Sequence, residues 1–478
     1  MGRSHVRGQA AAASMGSGPD RCASMPVGDP GSMAETLQPL WIEPPTTADR
    51  PPPADREAWV SRGLDTLAAV TSSEPADDER AAPLFRGGRA AALEALGEID
   101  PPGYARSRNF LSGRVTRLSP WLRHGVLSTA EVRDLALARA GAEAEKLVSE
   151  LGWRDYWRRV HASLGERIDR DIETPAAIHR RKAAVEMPSD VIEATTGMAC
   201  IDHFVRELHS TGYLHNHARM WTAAWLVHAR GVRWQAGAAW FLRHLVDGDP
   251  ASNTLSWQWV AGSFSAKPYI FNRDNLDRFS EGRLCGACPL AGHCDLEGDY
   301  ETLEARWFSG FPSRDRLRIA PAEPWRLAEL DTKAAAVVWL TLDSLGTTSP
   351  AAVARPEAMR VFVFDPAWLS RVRPTRKRLR FVLECLADVP RLALGVGPPA
   401  ELVAEAAAVE QARGIAVAET PCPGVRAEAD RLAATLPVEV VDWPPLVPEG
   451  RITDLGRFSR YWSRVKQAAM LPTPGRRD

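Results

Sequence analysis

Reactive side chains concentrate in one short run near the middle of the chain. Leu245-Val246-Asp247-Gly248-Asp249-Pro250-Ala251-Ser252-Asn253 is followed by Trp257-Gln258-Trp259, which places two carboxylates, the Asn253 amide and two indoles close together. The run reads as a helix end, a turn and a new helix. Carboxylates and an amide in a turn can hold the polar edge of an aromatic cofactor, and nearby indoles can stack or carry electrons. An Asp/Asn-rich turn beside core tryptophans uses the same residues, so this run alone leaves both readings open.

Two further groups could do chemistry. Between residues 101 and 130 there are five arginines and no acid, with Thr116-Arg117-Leu118-Ser119-Pro120 among them. Hydroxyls and backbone N–H groups near a helix start suit a pyrophosphate, though a solvated basic loop with ordinary caps is as good an account. Cys285-Gly286-Ala287-Cys288-Pro289 is followed by Cys294. Thiolates at that spacing can hold one metal centre from a tight turn, either an iron–sulfur cluster or, with His293 as fourth ligand, zinc.

The elements that must position these groups fall into two textures. Residues 1–55, rich in Ala, Gly, Ser and Pro, are expected to be a disordered tail. Met1, Met15, Met25 and Met33 all lie there, so the true start could be further in, and Arg3 and Arg7 hint at a transit peptide. Residues 56–320 are expected to be helical: Ala130–Ala140, Ala144–Leu164 and Ile201–Ser210 repeat apolar residues at helical spacing. Ser128-Thr129-Ala130-Glu131 predicts a capping box. Residues 334–445 carry short apolar runs at Ala335–Leu340, Arg360–Phe364, Leu392–Gly395, Ile415–Ala418 and Val438–Val441, separated by helical segments such as Lys377–Leu386 and Pro399–Ala412. That alternation predicts a parallel sheet with helices on its faces. Residues 446–478 are expected to be a helical segment and a tail.

Bulk composition narrows the partners. The 478 residues carry a net charge of −1, so nucleic acid could be held only by a local basic face. No apolar run approaches 18 residues, which predicts a soluble, cytoplasmic protein without a membrane span. Seven cysteines, of which Cys22, Cys385 and Cys422 are scattered, do not suggest a disulfide scaffold.

The run around Asp247 closely resembles the flavin-binding core of DNA photolyases and cryptochromes. The resemblance extends through Tyr104, Arg108-Asn109 and Thr116–Pro120, then Thr196-Gly197, Asp202 and Thr211–Met220, and from Trp234 to Trp259. It implies FAD contacted by Tyr104, Thr116, Arg117, Ser119, Asn216, Arg219, Asp247, Asp249 and Asn253. Arg219 would pair with Asp247 beside the flavin ring, Asp249 would accept hydrogen bonds from the cofactor, and Asn253 would lie near its N5. Glu150-Leu151-Gly152-Trp153-Arg154 resembles the lesion-pocket segment. Glu150 would hydrogen-bond a flipped pyrimidine dimer, Trp153 and Trp259 would stack on it, and Met220 would pack against it. Arg108 and Arg154 would face the DNA. Asn216 and Met220 stand where six-four enzymes have histidines, which favours the cyclobutane dimer. Trp257 and Trp234 match the inner and middle members of the family's photoreduction chain. The outer position falls near Arg181, so Trp225 or Trp240 would have to serve. Leu147 replaces an indole usually found by the flavin.

The order of domains is inverted relative to that family. Val337–Asp343 is similar to its first strand, and Val363-Phe364-Asp365-Pro366, Phe381–Asp388 and Gly395–Pro398 to its next landmarks. The chain thus resembles a circularly permuted photolyase, an all-helical FAD-binding domain followed by a Rossmann-like parallel α/β domain. The arginines that usually follow the first strand are missing, which leaves the antenna chromophore unknown. Cys200 upstream of the three clustered cysteines resembles the iron–sulfur members, and implies a [4Fe–4S] cluster on Cys200, Cys285, Cys288 and Cys294, with zinc second. The function implied is light-driven repair of pyrimidine dimers in DNA by a monomer, with a blue-light photoreceptor or a light-independent nucleic-acid-binding flavoprotein as alternatives.

Overall fold

Short runs of Val, Ile, Leu and Phe in the C-terminal half become strands because both of their faces can be buried. In the computed structural model, which describes residues 40–42, 53–71, 84–179, 183–313, 316–331, 334–447, 450 and 452–473, these runs form one sheet. In chain order the strands are β1 (Leu40–Ile42), β2 (Ala177–Ile178), β3 (Phe308–Gly310), β4 (Ala336–Leu340), β5 (Met359–Phe364), β6 (Leu392–Val396), β7 (Gly414–Ala418) and β8 (Val438–Val441). The main sheet runs β1-β6-β5-β4-β7-β8, and β2 pairs with β3 in a separate two-stranded sheet. β4 is flanked by parallel partners, Val338 opposite Arg360 on one side and Ala416 on the other. Strand order therefore reverses between β4 and β7, the place where such sheets usually open a crevice for a ligand.

Most of the stretch expected to be a tail lies outside the described residues, as do Cys22 and Arg181. Two pieces of it carry regular structure. Leu40–Ile42 pairs antiparallel with β6, Leu40 opposite Val396, and covers that edge of the parallel strands. Pro53 begins a helix that runs to Thr71 and buries Trp59 completely.

The helical part is carried by α1 (Glu145–Leu164), α2 (Ala199–Thr211), α3 (Asn216–Ala224), α4 (Trp234–His244) and α5 (Pro250–Ala261). In the sheet half and beyond it, α6 (Arg376–Leu386) and α7 (Phe458–Ala469) matter most for the site. The mixture of helices and a largely parallel sheet is the class expected from sequence. Half of the predicted capping box forms: Ser128 Oγ accepts from Glu131 N at 3.1 Å, but the Glu131 carboxylate turns to Arg89, 3.0 Å from Nη1. An ion pair outcompetes the weaker return bond. No helix among the described residues is long and apolar enough to cross a membrane.

One continuous core joins the two halves. Leu118, Trp121, Tyr213 and Phe264 from the helical part share it with Val338, Leu340, Phe362, Phe364 and Phe381 from the sheet and α6. A second core lies within the helical part around Phe204, Trp221, Trp225 and Trp257.

Candidate functional site

The Asp247–Asp249 turn is set by what ends α4 and starts α5. Val246 N donates to Gly212 O at 2.9 Å and Gly248 N to Leu245 O at 3.0 Å. Asp249 then caps α5, accepting from Ala251 N at 3.3 Å with Pro250 at the first helical position. Asp247 is buried and accepts from Arg219 Nη2 at 2.8 Å, while Arg219 Nε is anchored on Leu214 O at 2.9 Å. The second Asp247 oxygen, Oδ1, is buried without a partner.

Asp249 is engaged more fully than expected. Arg154 Nη1 lies 3.1 Å from Oδ2 and Ser252 Oγ donates to the same oxygen at 2.9 Å. Burial would raise its pKa, but Arg154, Arg123 and Arg158 hold it down at about 2. Arg154, expected to face DNA, is thus turned inward: its other nitrogen donates to Leu122 O at 3.0 Å. A buried carboxylate needs a counter-charge, and Arg154 supplies it. Arg108, also expected on DNA, sits 3.4 Å from Glu150 Oε1, which Lys146 approaches to 2.8 Å from one turn away on α1.

The remaining predicted residues sit on α3 and α5 and between positions 104 and 119. Asn216 opens α3, its amide nitrogen 3.4 Å from Met220 Sδ one turn later. Before it, His215 Nδ1 accepts from His217 N at 3.1 Å, which makes Nδ1 an acceptor in the neutral ring. Burial, and then the neighbouring His217, push the His215 pKa down to about 4; burial and Arg108 do the same for His217. Asn253 Nδ2 donates to Ala238 O at 2.9 Å, tying α5 to α4. Arg117 adopts the left-handed region at φ 52°, strain of the kind found at binding sites, and its charge is felt at Tyr213 and His215. Thr116 Oγ1 accepts from Leu118 N at 3.5 Å, and Ser119 starts the short helix Ser119–Arg123. Tyr104 is largely buried, and burial followed by Glu150 raises its hydroxyl pKa.

Aromatic rings frame the site. Trp153 stacks on Phe458 of α7 with centroids 3.7 Å apart and planes 11° apart. Trp259 packs on Tyr269 at 5.5 Å. Trp257 is buried against Gly237 and Phe241, the latter 5.1 Å away edge-on. Trp234 begins α4 and donates to Asp171 at 2.6 Å. Of the two substitutes for the outer tryptophan, Trp240 lies 5.4 Å from Phe241, the ring that in turn packs on Trp257. Trp225 instead donates to Asp295 at 3.0 Å, next to Cys294. Leu147 is buried in the shared core.

Cys200, Cys285, Cys288 and Cys294 line one pocket with Met198, Arg273, Leu284 and Leu290. None of the four forms a disulfide. Burial and then Asp277 raise the Cys285 pKa to about 11. Among the described residues, no three His, Cys, Asp or Glu side chains come close enough to hold a single metal ion, and His293 does not line the pocket.

Sequence reasoning missed three charged residues at this site. Arg123 and Arg378 both donate to Gly248 O, and Asp343, just past β4, pairs with Arg123 and with Arg158 at 3.5 Å. Thr420 after β7 donates to Asp343, which joins the ends of β4 and β7 at the strand-order reversal. One signal was available: Arg378 shares the buried stripe of α6 with Val382 and Cys385, where a cation needs a reason.

With this geometry in view, comparison with known proteins places the helical half. Residues 147–302 match the family model for the FAD binding domain of DNA photolyase. The deoxyribodipyrimidine photo-lyase of Streptomyces griseus is 36% identical over 252 residues, 52% of this chain and 51% of its own. The cryptochrome DASH of Natronomonas pharaonis is 28% identical over 284 residues, 56% of this chain and 55% of its own. A bacterial class III photolyase from Agrobacterium tumefaciens, solved as a crystal structure, is 26% identical with a TM-score of 0.37, over 47% of this chain and 51% of that one. The chain spans about half the length of the photolyase-family relatives it matches.

Proposed function

We propose that this protein is a light-driven photolyase for cyclobutane pyrimidine dimers in DNA, with FAD held at the Asp247–Asp249 turn. The observation that carries the reading is the buried Arg219–Asp247 pair with one Asp247 oxygen left without a donor. His217 Nδ1 is likewise buried and unpartnered. Buried polar atoms of this kind call for a bound polar group, and the donors and acceptors of a flavin fit them. Arg219, Asp247, Asn216 and Asn253 would hold the ring, and Tyr104, Thr116, Arg117 and Ser119 the rest of the cofactor. Asp249 would act indirectly, through Arg154 and the start of α5.

FAD held there would, once reduced and excited by light, lend the electron that opens the cyclobutane ring and take it back afterwards. The chain's own contribution is the pocket. Trp259 and Trp153 offer aromatic faces to a flipped dimer, the second braced from behind by Phe458. Glu150 offers a carboxyl to a base edge, Lys146 and Arg108 hold it in place, and Met220 fills the apolar side.

We read the chain as permuted, flavin domain first and sheet domain last. An alignment that keeps sequence order can follow only one half of such a chain, which accords with the half-length matches. We assign the cysteine pocket to a [4Fe–4S] cluster on Cys200, Cys285, Cys288 and Cys294, with zinc as second choice. A single zinc needs all its thiolates about 2.3 Å from one point, whereas a cubane accepts cysteines spread around a wider cavity. The similarity to a cryptochrome DASH favours a photoreceptor as the second function.

The test is repair of a thymine-dimer oligonucleotide by the purified, photoreduced protein under blue light, with a dark control. Light-dependent return of intact thymines is expected. Bound, reducible FAD without repair would leave the photoreceptor as the better account.

A further inference from the structure

The carbonyl oxygen of Gly248 lies between the two acidic residues of the turn, and two guanidinium groups converge on it. Arg123 Nε donates at 3.0 Å and Arg378 Nη2 at 2.6 Å. Arg123 stands beside the turn in the helical part, but Arg378 stands on α6, which follows β5 in the sheet half. Arg378 Nη1 also donates to Leu242 O in the last turn of α4. One side chain from the sheet half therefore ties the end of α4 to the turn that follows it.

The cost of placing Arg378 there points to a purpose. It is almost completely buried, with its guanidinium 5.6 Å from the centre of the Trp368 ring. Burial, and then the neighbouring Arg123, lower its pKa, and the carboxylates of Asp247 and Asp249 oppose them. Two backbone carbonyls could be satisfied by a neutral donor or by water, whereas a buried cation adds a desolvation penalty, which Asp247 and Asp249 offset in part. The fit is also close: a Cβ on Gly248 would fall 2.9 Å from Arg378 Nη1.

We infer that Arg378 is a positioning residue for the flavin turn, so that the sheet half completes the cofactor site. By fixing Gly248 O it fixes the peptide units on either side, and with them the direction in which Asp247 meets Arg219 and its unpartnered oxygen faces the site. The inference rests on the reading of this turn as the flavin site, and deepens it: FAD binding requires both halves of the chain.

The test compares Arg378→Met, Arg378→Lys and, as control, the surface substitution Arg391→Ala in the full chain. FAD-to-protein ratio, FAD dissociation constant, flavin midpoint potential and melting of the FAD-stripped protein are measured for each. Arg378→Met is expected to weaken FAD at least tenfold and to shift the midpoint potential of what remains bound. Arg378→Lys, which keeps the charge but cannot fork across two carbonyls, should recover part of both. Arg391→Ala should match wild type. A merely structural role would lower melting of the stripped protein and leave the potential of bound flavin unmoved, and that outcome overturns the inference. So does unchanged affinity in Arg378→Met. Should that variant fail to fold, Arg378→Lys decides: wild-type FAD affinity and midpoint potential with a side chain that cannot fork across two carbonyls overturn the inference. A wild-type protein that binds no FAD would instead sink the flavin reading itself.

Discussion

Glu150 is the residue whose chemistry depends most on its neighbours. Lys146 and Arg108 keep its carboxyl in place within the expected lesion pocket. Glu150→Gln keeps the shape and removes the charge, so repair should fall on the order of tenfold, the value of one charge-assisted hydrogen bond, with FAD content unchanged. Equal repair rates in the two proteins would remove Glu150 from the mechanism. The buried histidines make a separate prediction about pH. His161, His215 and His228 have folded-state pKa values of about 4 against an ordinary 6.5, with burial the largest cause in each case. The unfolded chain therefore takes up protons first as pH falls. Stability is full above about 6.5 and declines toward pH 4, by up to about 3 kcal/mol for each group. Melting temperature measured across that window should fall steeply with acidification, and a flat profile would mean these rings are hydrated in solution.

At the scale of elements, α4 and α5 meet at Gly237, where an added Cβ would collide with the Trp257 ring. Gly237→Ala must therefore displace the indole. Overpacking of this kind destabilises by roughly 1–3 kcal/mol. If Trp257 carries electrons to the flavin, photoreduction should also slow, as followed by flavin absorbance under blue light. Unchanged photoreduction in a destabilised protein would make Trp257 a core residue only. The helices, the strand runs and the acidic turn were legible because each is written in local spacing. Apolar periodicity marks α1 and α2, β-branched runs mark β4 to β8, and Asp249-Pro250 marks a helix start. What local spacing cannot show is a partner far along the chain. Arg154 looked like a DNA contact until Asp249 was seen beside it, and Arg378 gave no hint that Gly248 was its acceptor. Glu131 had the pattern of a capping box and lost it to Arg89. The four cysteines were legible as a set, and their convergence on one pocket is the part that needed the fold. Protein purified without oxygen should carry about four iron and four sulfide per chain, and Cys200→Ala should lose most of both. One zinc and no iron would favour the second assignment.

At the scale of the whole molecule, the two halves share one core. Residues 38–478 form one compact unit, and Leu118 and Trp121 lie in the same apolar cluster as Leu340 and Phe381. Charge reinforces the join, because Asp343 from the sheet half holds Arg123 and Arg158 from the helical half with all three buried or nearly so. Removing one partner of such a pair leaves an uncompensated buried charge and costs about 3–5 kcal/mol. Neither half can then lose its packing without exposing apolar surface and unpaired charge on the other, which is the physical condition for a single cooperative transition. Urea unfolding of the holoprotein, followed in parallel by far-UV circular dichroism, tryptophan fluorescence and flavin release, should give coincident curves. Asp343→Asn should shift all three midpoints together to lower urea. A flavin-release curve that precedes the loss of helix, or a sheet transition that survives it, would mean that the halves are independently stable and that the shared core is a contact rather than a common foundation.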